Sequence, residues 1–183
     1  MKKNALIPGS STRYTNPAIF FHWIIAALIA MQIGLGWYMM SVEDDPRSAW
    51  LFRLHISIGI TATALVALRI LWRLKHTPAA LPESLPAWQV QASRHTHKLL
   101  YLLMVLMPFT GYLGASFSGE GVAFFGLQTP VWASKNDMLK ELFFTIHSWT
   151  AWILVAAIVL HLLAAFKHLW IERDGVFHRM WPW

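Results

Sequence analysis

The sequence contains no cysteine. Disulfides, thiolate-bound iron–sulfur clusters, covalent c-type heme attachment and cysteine-based zinc sites are therefore excluded. Charge is scarce as well: 13 % of the 183 residues are charged, and only 9 are acidic against 15 Lys and Arg. Few charges leave long apolar runs. Hydrophobic residues make up 56 % of the chain, above the roughly 45–50 % of a soluble domain. Four runs, at about 17–40, 51–73, 97–117 and 142–167, each approach the ~20 residues needed to cross a bilayer core. The first run is no cleavable signal, because it is too long, lacks a small-x-small exit and precedes three further spans. The expected fold is all-α: an integral membrane four-helix transmembrane bundle, with residues 1–183 as one membrane domain.

The net charge of +6 raises the question of a nucleic-acid partner, and the positions of the charges answer it. Four spans put both ends on one side, with Lys2, Lys3, Arg13, Arg69, Arg73, Lys75, Arg94, Lys98, Lys167, Arg173 and Arg179. Arg47, Arg53, Lys135 and Lys140 fall on the other side beside Glu43, Asp44, Asp45, Glu120, Asp137 and Glu141. Basic residues mark the cytoplasmic side, so both termini of this polytopic membrane protein are expected in the cytoplasm. Topology accounts for the basic excess without nucleic acid. Pro78, Pro82 and Pro86 predict an extended cytoplasmic loop over 74–96. The outer loop 118–141, with Phe124, Phe125, Leu127 and Trp132, is too apolar to float and should lie over the end of the bundle. Trp23, Trp37, Trp50, Trp72, Trp149 and Trp170 cluster near span ends, as an interfacial aromatic belt would.

His22, His55, His147 and His161 fall inside spans, where ionisable groups are costly and mark function. The fourteen residues from His147 to His161 fall about 40° short of four helical turns, so the two share a face about 21 Å apart. Depth pairs His22 with His161 near the inner surface, and His55 with His147 near the outer one. Two facing imidazoles at each of two depths suit bis-histidyl heme b held between helices, which favours electron transfer over oxygen binding. Gly34, Gly36, Gly59, Gly111, Gly114 and Ala151 offer room for flat rings, or simply allow close helix packing. Zinc fits less well, since it wants about four converging ligands. His168 lies about 20° from the face of His161 at the inner surface; quinone, propionate and water are all candidate partners. His95 and His97 differ by about 200° around their helix, so His97, four before Tyr101, is the one expected to face the bundle and meet a propionate or a quinone. His76 and His178 read as surface residues, and Arg69 and Arg73 as propionate partners or headgroup contacts.

Seven stretches in order, "RYTNPAIFFHWI", "LHISIGI", "LRILWRL", "HTHKLLY", "FGLQTP", "HSWTAWILVAAIVLHLLAAFKH" and "RDGVFHRMWPW", run nearly the length of the chain. With the fourteen-residue histidine interval they resemble the bacterial cytochrome b561 family, di-heme inner-membrane proteins that include superoxide oxidases. The resemblance implies two heme b groups, with His22 and His161 on the cytoplasmic-side iron and His55 and His147 on the periplasmic-side iron. It also implies ubiquinone as a redox partner, with His168 as a quinone contact, and superoxide or a periplasmic donor on the outer side. Ser148 departs from the superoxide oxidase pattern, which has an acid there. The expected function is electron transfer across the membrane, leaning towards a superoxide:ubiquinone oxidoreductase. The rivals are a heme-bearing anchor for a redox partner and a histidine-lined metal or proton carrier; for the carrier, the span middles offer little beyond Gln32.

Overall fold

The computed structural model describes residues 13–76, 81–82 and 84–182. Four helices, α1 (Asn16–Ser41), α2 (Ala49–Lys75), α3 (Ala87–Ser116) and α4 (Asp137–Phe166), are long and apolar enough to cross a membrane. Helix α1 begins after extended Thr15 with Pro17 in its first turn, where a missing N–H costs nothing. Helix α4 is capped by the Asn136 side chain, which accepts a hydrogen bond from Leu139 N, and Asp137 complements the helix dipole. The third span is longer than the sequence suggests. Leu85 N donates to Pro82 O in a turn just before the helix, and residues 87–96 are helical, because proline at the helix threshold starts a helix and none follows until Pro108. Pro78 lies outside the described residues.

Helices α1 and α2 pack along one another, as do α3 and α4, while contacts between these two hairpins are sparse. Leu103 of α3 with Leu154 and Ala157 of α4 form the buried apolar cluster, joined by Ile29 from α1. Lipid is as apolar as leucine, so close packing rather than water exclusion holds such helices together. Gly114 shows this directly: a Cβ there would stand 2.6 Å from the Phe144 ring. Between α1 and α2 the Gln32 amide donates to the His55 carbonyl at 2.9 Å.

Both described ends of the chain meet at one end of the bundle, here the basal end. Tyr14 N donates to Arg179 O at 3.1 Å, Trp23 Nε1 to Met180 O at 2.8 Å, and Arg13 Nη2 to the carbonyls of Trp181 and Pro182. Trp23 is thus tied to the tail as well as placed in the belt. At the opposite, apical end the loop between α3 and α4 folds over the bundle. It holds a hairpin of β1 (Ala123–Phe124) and β2 (Leu127–Gln128), closed by Phe125 and Gly126 at φ 45° and 89°. Positive φ at both turn positions matches the twist of a two-residue hairpin. Val122 and Ala123 are buried. The Ser57 hydroxyl of α2 accepts a hydrogen bond from Phe125 N at 2.9 Å and anchors the hairpin.

Ser57→Ala leaves the Phe125 N–H without that acceptor, at an expected cost of about 1–3 kcal/mol. Thermal unfolding in detergent should shift down and protease should cut the apical loop faster; unchanged values for both would refute the anchoring role.

Candidate functional site

Four of the in-span histidines meet as two pairs. His22 of α1 faces His161 of α4 with ring centroids 6.2 Å apart and planes at 71°. His55 of α2 faces His147 of α4, also at 6.2 Å, with planes at 77°. Each pair therefore joins the α1–α2 hairpin to α4 across the sparsely packed seam. All four rings are half-buried. Their separation is chemically specific. Imidazole nitrogens bind metals at about 2.0–2.1 Å, and a ring centroid lies about 1.1 Å behind its nitrogen, so two imidazoles sharing one ion hold centroids about 6.3 Å apart. Direct hydrogen bonding or stacking would bring the rings closer. The residues present fit an iron between each pair, and the seam between hairpins is where a flat macrocycle would lie.

The surroundings of His147 are built to orient it. Its Nδ1–H donates to the Met107 carbonyl at 2.9 Å, with the buried Thr110 hydroxyl 3.4 Å away, which leaves Nε2 as the free lone pair. Pro108, next to Met107, interrupts the α3 ladder at this level. A Cβ at Gly111 would stand 2.9 Å from Cε1 of His147, so that glycine admits the ligand imidazole rather than a macrocycle. Gly36 also lies beside His55, but a Cβ there would make ordinary contact, 3.5 Å from Cε1. Gly59 faces Gln32, and among the in-span glycines Gly34 opens onto unfilled space within 4 Å.

The basal pair has a third neighbour. The His97 ring lies 5.4 Å from His161, and its Nδ1–H donates to Ser93 O at 2.8 Å. His97 is half-buried and His95 exposed, as their angular offset requires. These three basal imidazoles do not converge on a point. Among the described residues the set of histidine and acid donors that does converge, within 4.8 Å, is His168, Glu172 and Asp174. They stand on a π-helical turn, Lys167–Glu172, followed by left-handed Arg173. His168 Nδ1 has one proton, which goes to Asp174 Oδ2 at 2.6 Å; Glu172 Oε2 at 2.8 Å is close but not hydrogen-bonded. Glu172 Oε1 accepts from Lys167 and Gln89. His168 is thus held by the Asp174 carboxylate, with Glu172 alongside. Sequence reading missed both acids: Glu172 stands at the ordinary i+4 helical spacing, while Asp174 is brought back by the turn through left-handed Arg173. His76 and His178 are exposed.

A four-helix membrane bundle with paired imidazoles at two depths defines a class: membrane cytochromes of b type. The sequence profile of the prokaryotic cytochrome b561 family matches residues 13–183, and the chain belongs to that family. It is a membrane electron-transfer heme protein of the bacterial inner membrane, and the family binds heme b. Cytochrome b561 homolog 2 of Escherichia coli K12 is 30 % identical over 173 residues, covering 92 % of this chain and 90 % of the relative. Cytochrome b561 homolog 1 of the same strain is 26 % identical over 178 residues, covering 93 % and 97 %. The protein named probable superoxide oxidase CybB of Yersinia pestis is 29 % identical over 175 residues, covering 93 % and 96 %.

Gly111→Val would thrust two methyls into the His147 ring. Purified protein should carry less heme per chain and show an altered heme spectrum, and full heme content with an unchanged spectrum would rule out this packing constraint.

Proposed function

We propose that this chain carries electrons across the inner membrane between a periplasmic-side donor and ubiquinone, through two heme b groups. His22 and His161 hold the basal iron, His55 and His147 the apical one, within one domain over residues 1–183. The basal end is cytoplasmic and the apical end periplasmic, as the distribution of basic residues favours. The observation that carries the reading is the pair of 6.2 Å imidazole separations, each between two helices. Heme iron supplies one-electron redox cycling, and two axial imidazoles leave no open position for oxygen. Met107 and Thr110 keep the His147 tautomer fixed.

Superoxide is the donor the Yersinia pestis relative's name suggests. The balance is then two superoxide anions giving two dioxygen molecules, and one quinone taking two electrons and two cytoplasmic protons to form quinol. Arg47 pairs with Asp45, and Lys135 stands 3.6 Å from Asp137, while Arg53 and Lys140 make no ion pair among the described residues. Arg53 and Lys140 are therefore the cations left to steer an anion towards the apical pair. Lys140 lines an open groove of about 680 Å³ along the outer side of α4, with Glu141, Phe144, Ser148, Trp149 and Trp152. A redox protein is the second donor reading, favoured by exposed Phe125, Leu127, Val131 and Trp132 on the apical loop. At the basal end His168, held by Asp174 and Glu172, is the quinone contact, with His97 as a further quinone or propionate contact.

Reduced-minus-oxidised spectra with heme quantitation test the reading. Two low-spin b hemes per chain are expected, and His55→Ala/His147→Ala should retain one. No heme, or two hemes surviving that double change, would end it. Stopped-flow reduction should then show superoxide rates that fall as salt rises, and fall severalfold with a flatter salt dependence in Arg53→Gln/Lys140→Gln. A donor protein, by contrast, would leave superoxide reduction slow at every salt concentration.

A further inference from the structure

Arg69 stands six residues, about 9 Å, inside the basal end of α2. It is half-buried, and its side chain turns into the bundle rather than out to lipid headgroups. Its Nε donates to Tyr101 Oη at 3.0 Å and its Nη1 reaches the Ala18 carbonyl at 3.5 Å. Ala18 lies one turn before His22 on α1, and Tyr101 one turn after His97 on α3. With the His97 ring against His161, Arg69 lies across the base of the space framed by His22, His97 and His161.

No carboxylate among the described residues pairs with this guanidinium. Arginine has five N–H donors, of which two are engaged here. A cation held within a membrane span calls for a counter-charge. Arg73, one turn on, does not, because it is exposed at the helix end, with its guanidinium carbon 5.5 Å from the centroid of the Tyr101 ring, and can reach headgroups directly. The counter-charge for Arg69 must come from a bound group with a carboxylate or phosphate. Heme b brings two propionates to the same end of the same space.

We propose that Arg69, oriented by Tyr101, is the counter-charge for a propionate of the heme held between His22 and His161. This rests on the di-heme reading above. The rival source of the same chemistry is an anionic lipid headgroup. Planar guanidinium geometry favours bidentate pairing with either anion, so the experiment must separate them.

Spectroelectrochemical titration of the holoprotein does so, read also in the His55→Ala/His147→Ala background, which isolates the basal heme. Removing a positive charge next to a propionate favours the oxidised heme. Arg69→Gln should shift that redox equilibrium about tenfold, equivalent to a 59 mV lower midpoint for one electron. Arg73→Gln, and the apical heme, should be unaffected. Protein refilled with heme dimethyl ester supplies the second arm of the cycle. The field of the guanidinium reaches the iron with either heme, so the pairing is read on the propionate itself, whose bending band in the resonance Raman spectrum should move in Arg69→Gln but not in Arg73→Gln. With the ester, Arg69→Gln should leave that region of the spectrum unchanged. If Arg69→Gln fails to load heme, Arg69→Lys keeps the charge and should hold a potential near that of the native protein with either heme. A propionate band that Arg69→Gln leaves unmoved would assign Arg69 to a lipid or a purely structural role and overturn the proposal. So would an unchanged basal potential in Arg69→Gln. A native chain with no heme between His22 and His161, seen in the stoichiometry, would instead overturn the di-heme reading itself.

Discussion

A ring nitrogen inside hydrocarbon has no water to turn to, so it must find its partner on another helix. Much of this bundle follows from that requirement. Helix α4 carries two imidazoles on one face, and the α1–α2 hairpin supplies one opposite each. The rings of each pair stand too far apart to bond one another directly. The two hairpins correspondingly pack tightly within themselves and loosely against each other. Gly111 makes room for one of the rings, since a Cβ there would run into His147.

The two ends of the bundle solve different problems. Apically the loop between α3 and α4 is tied to α2 by the Ser57 hydroxyl and to α3 by the Tyr112 hydroxyl, and presents apolar side chains outward. Basally the polar groups are concentrated. The tail crosses the start of α1 through main-chain carbonyls accepting from Arg13, Tyr14 and Trp23. The π turn gathers His168, Glu172, Asp174 and Lys167, and Arg69 reaches inward from α2.

Much of this was legible in the sequence because membrane helices must be long and apolar, and because histidines there stand out against the background. The spacing of His147 and His161 and the depths of His22 and His55 sufficed to pair them. The start of α3 was not legible: three prolines suggested extended chain to residue 96, whereas the helix begins immediately after Pro86. Nor was the Asp174 partner of His168, since left-handed Arg173 brings it back in a way no helical period describes. The tryptophans were only half legible. Trp149 and Trp170 are exposed as a belt requires, but Trp23 and Trp72 also make hydrogen bonds that fasten the basal end, to Met180 O and Thr15 Oγ1.

Helix α4 also fixes a length. Its two imidazoles face the same seam only because fourteen residues come within about 40° of four whole turns. One residue added between them would swing one ring by about 100°, out of the seam. Four added residues would restore the phase and lengthen the separation by about 6 Å. The spacing of the two sites along the membrane normal is therefore not continuously adjustable; it changes in steps of roughly one helical turn, and a bilayer of given thickness admits only one or two of them.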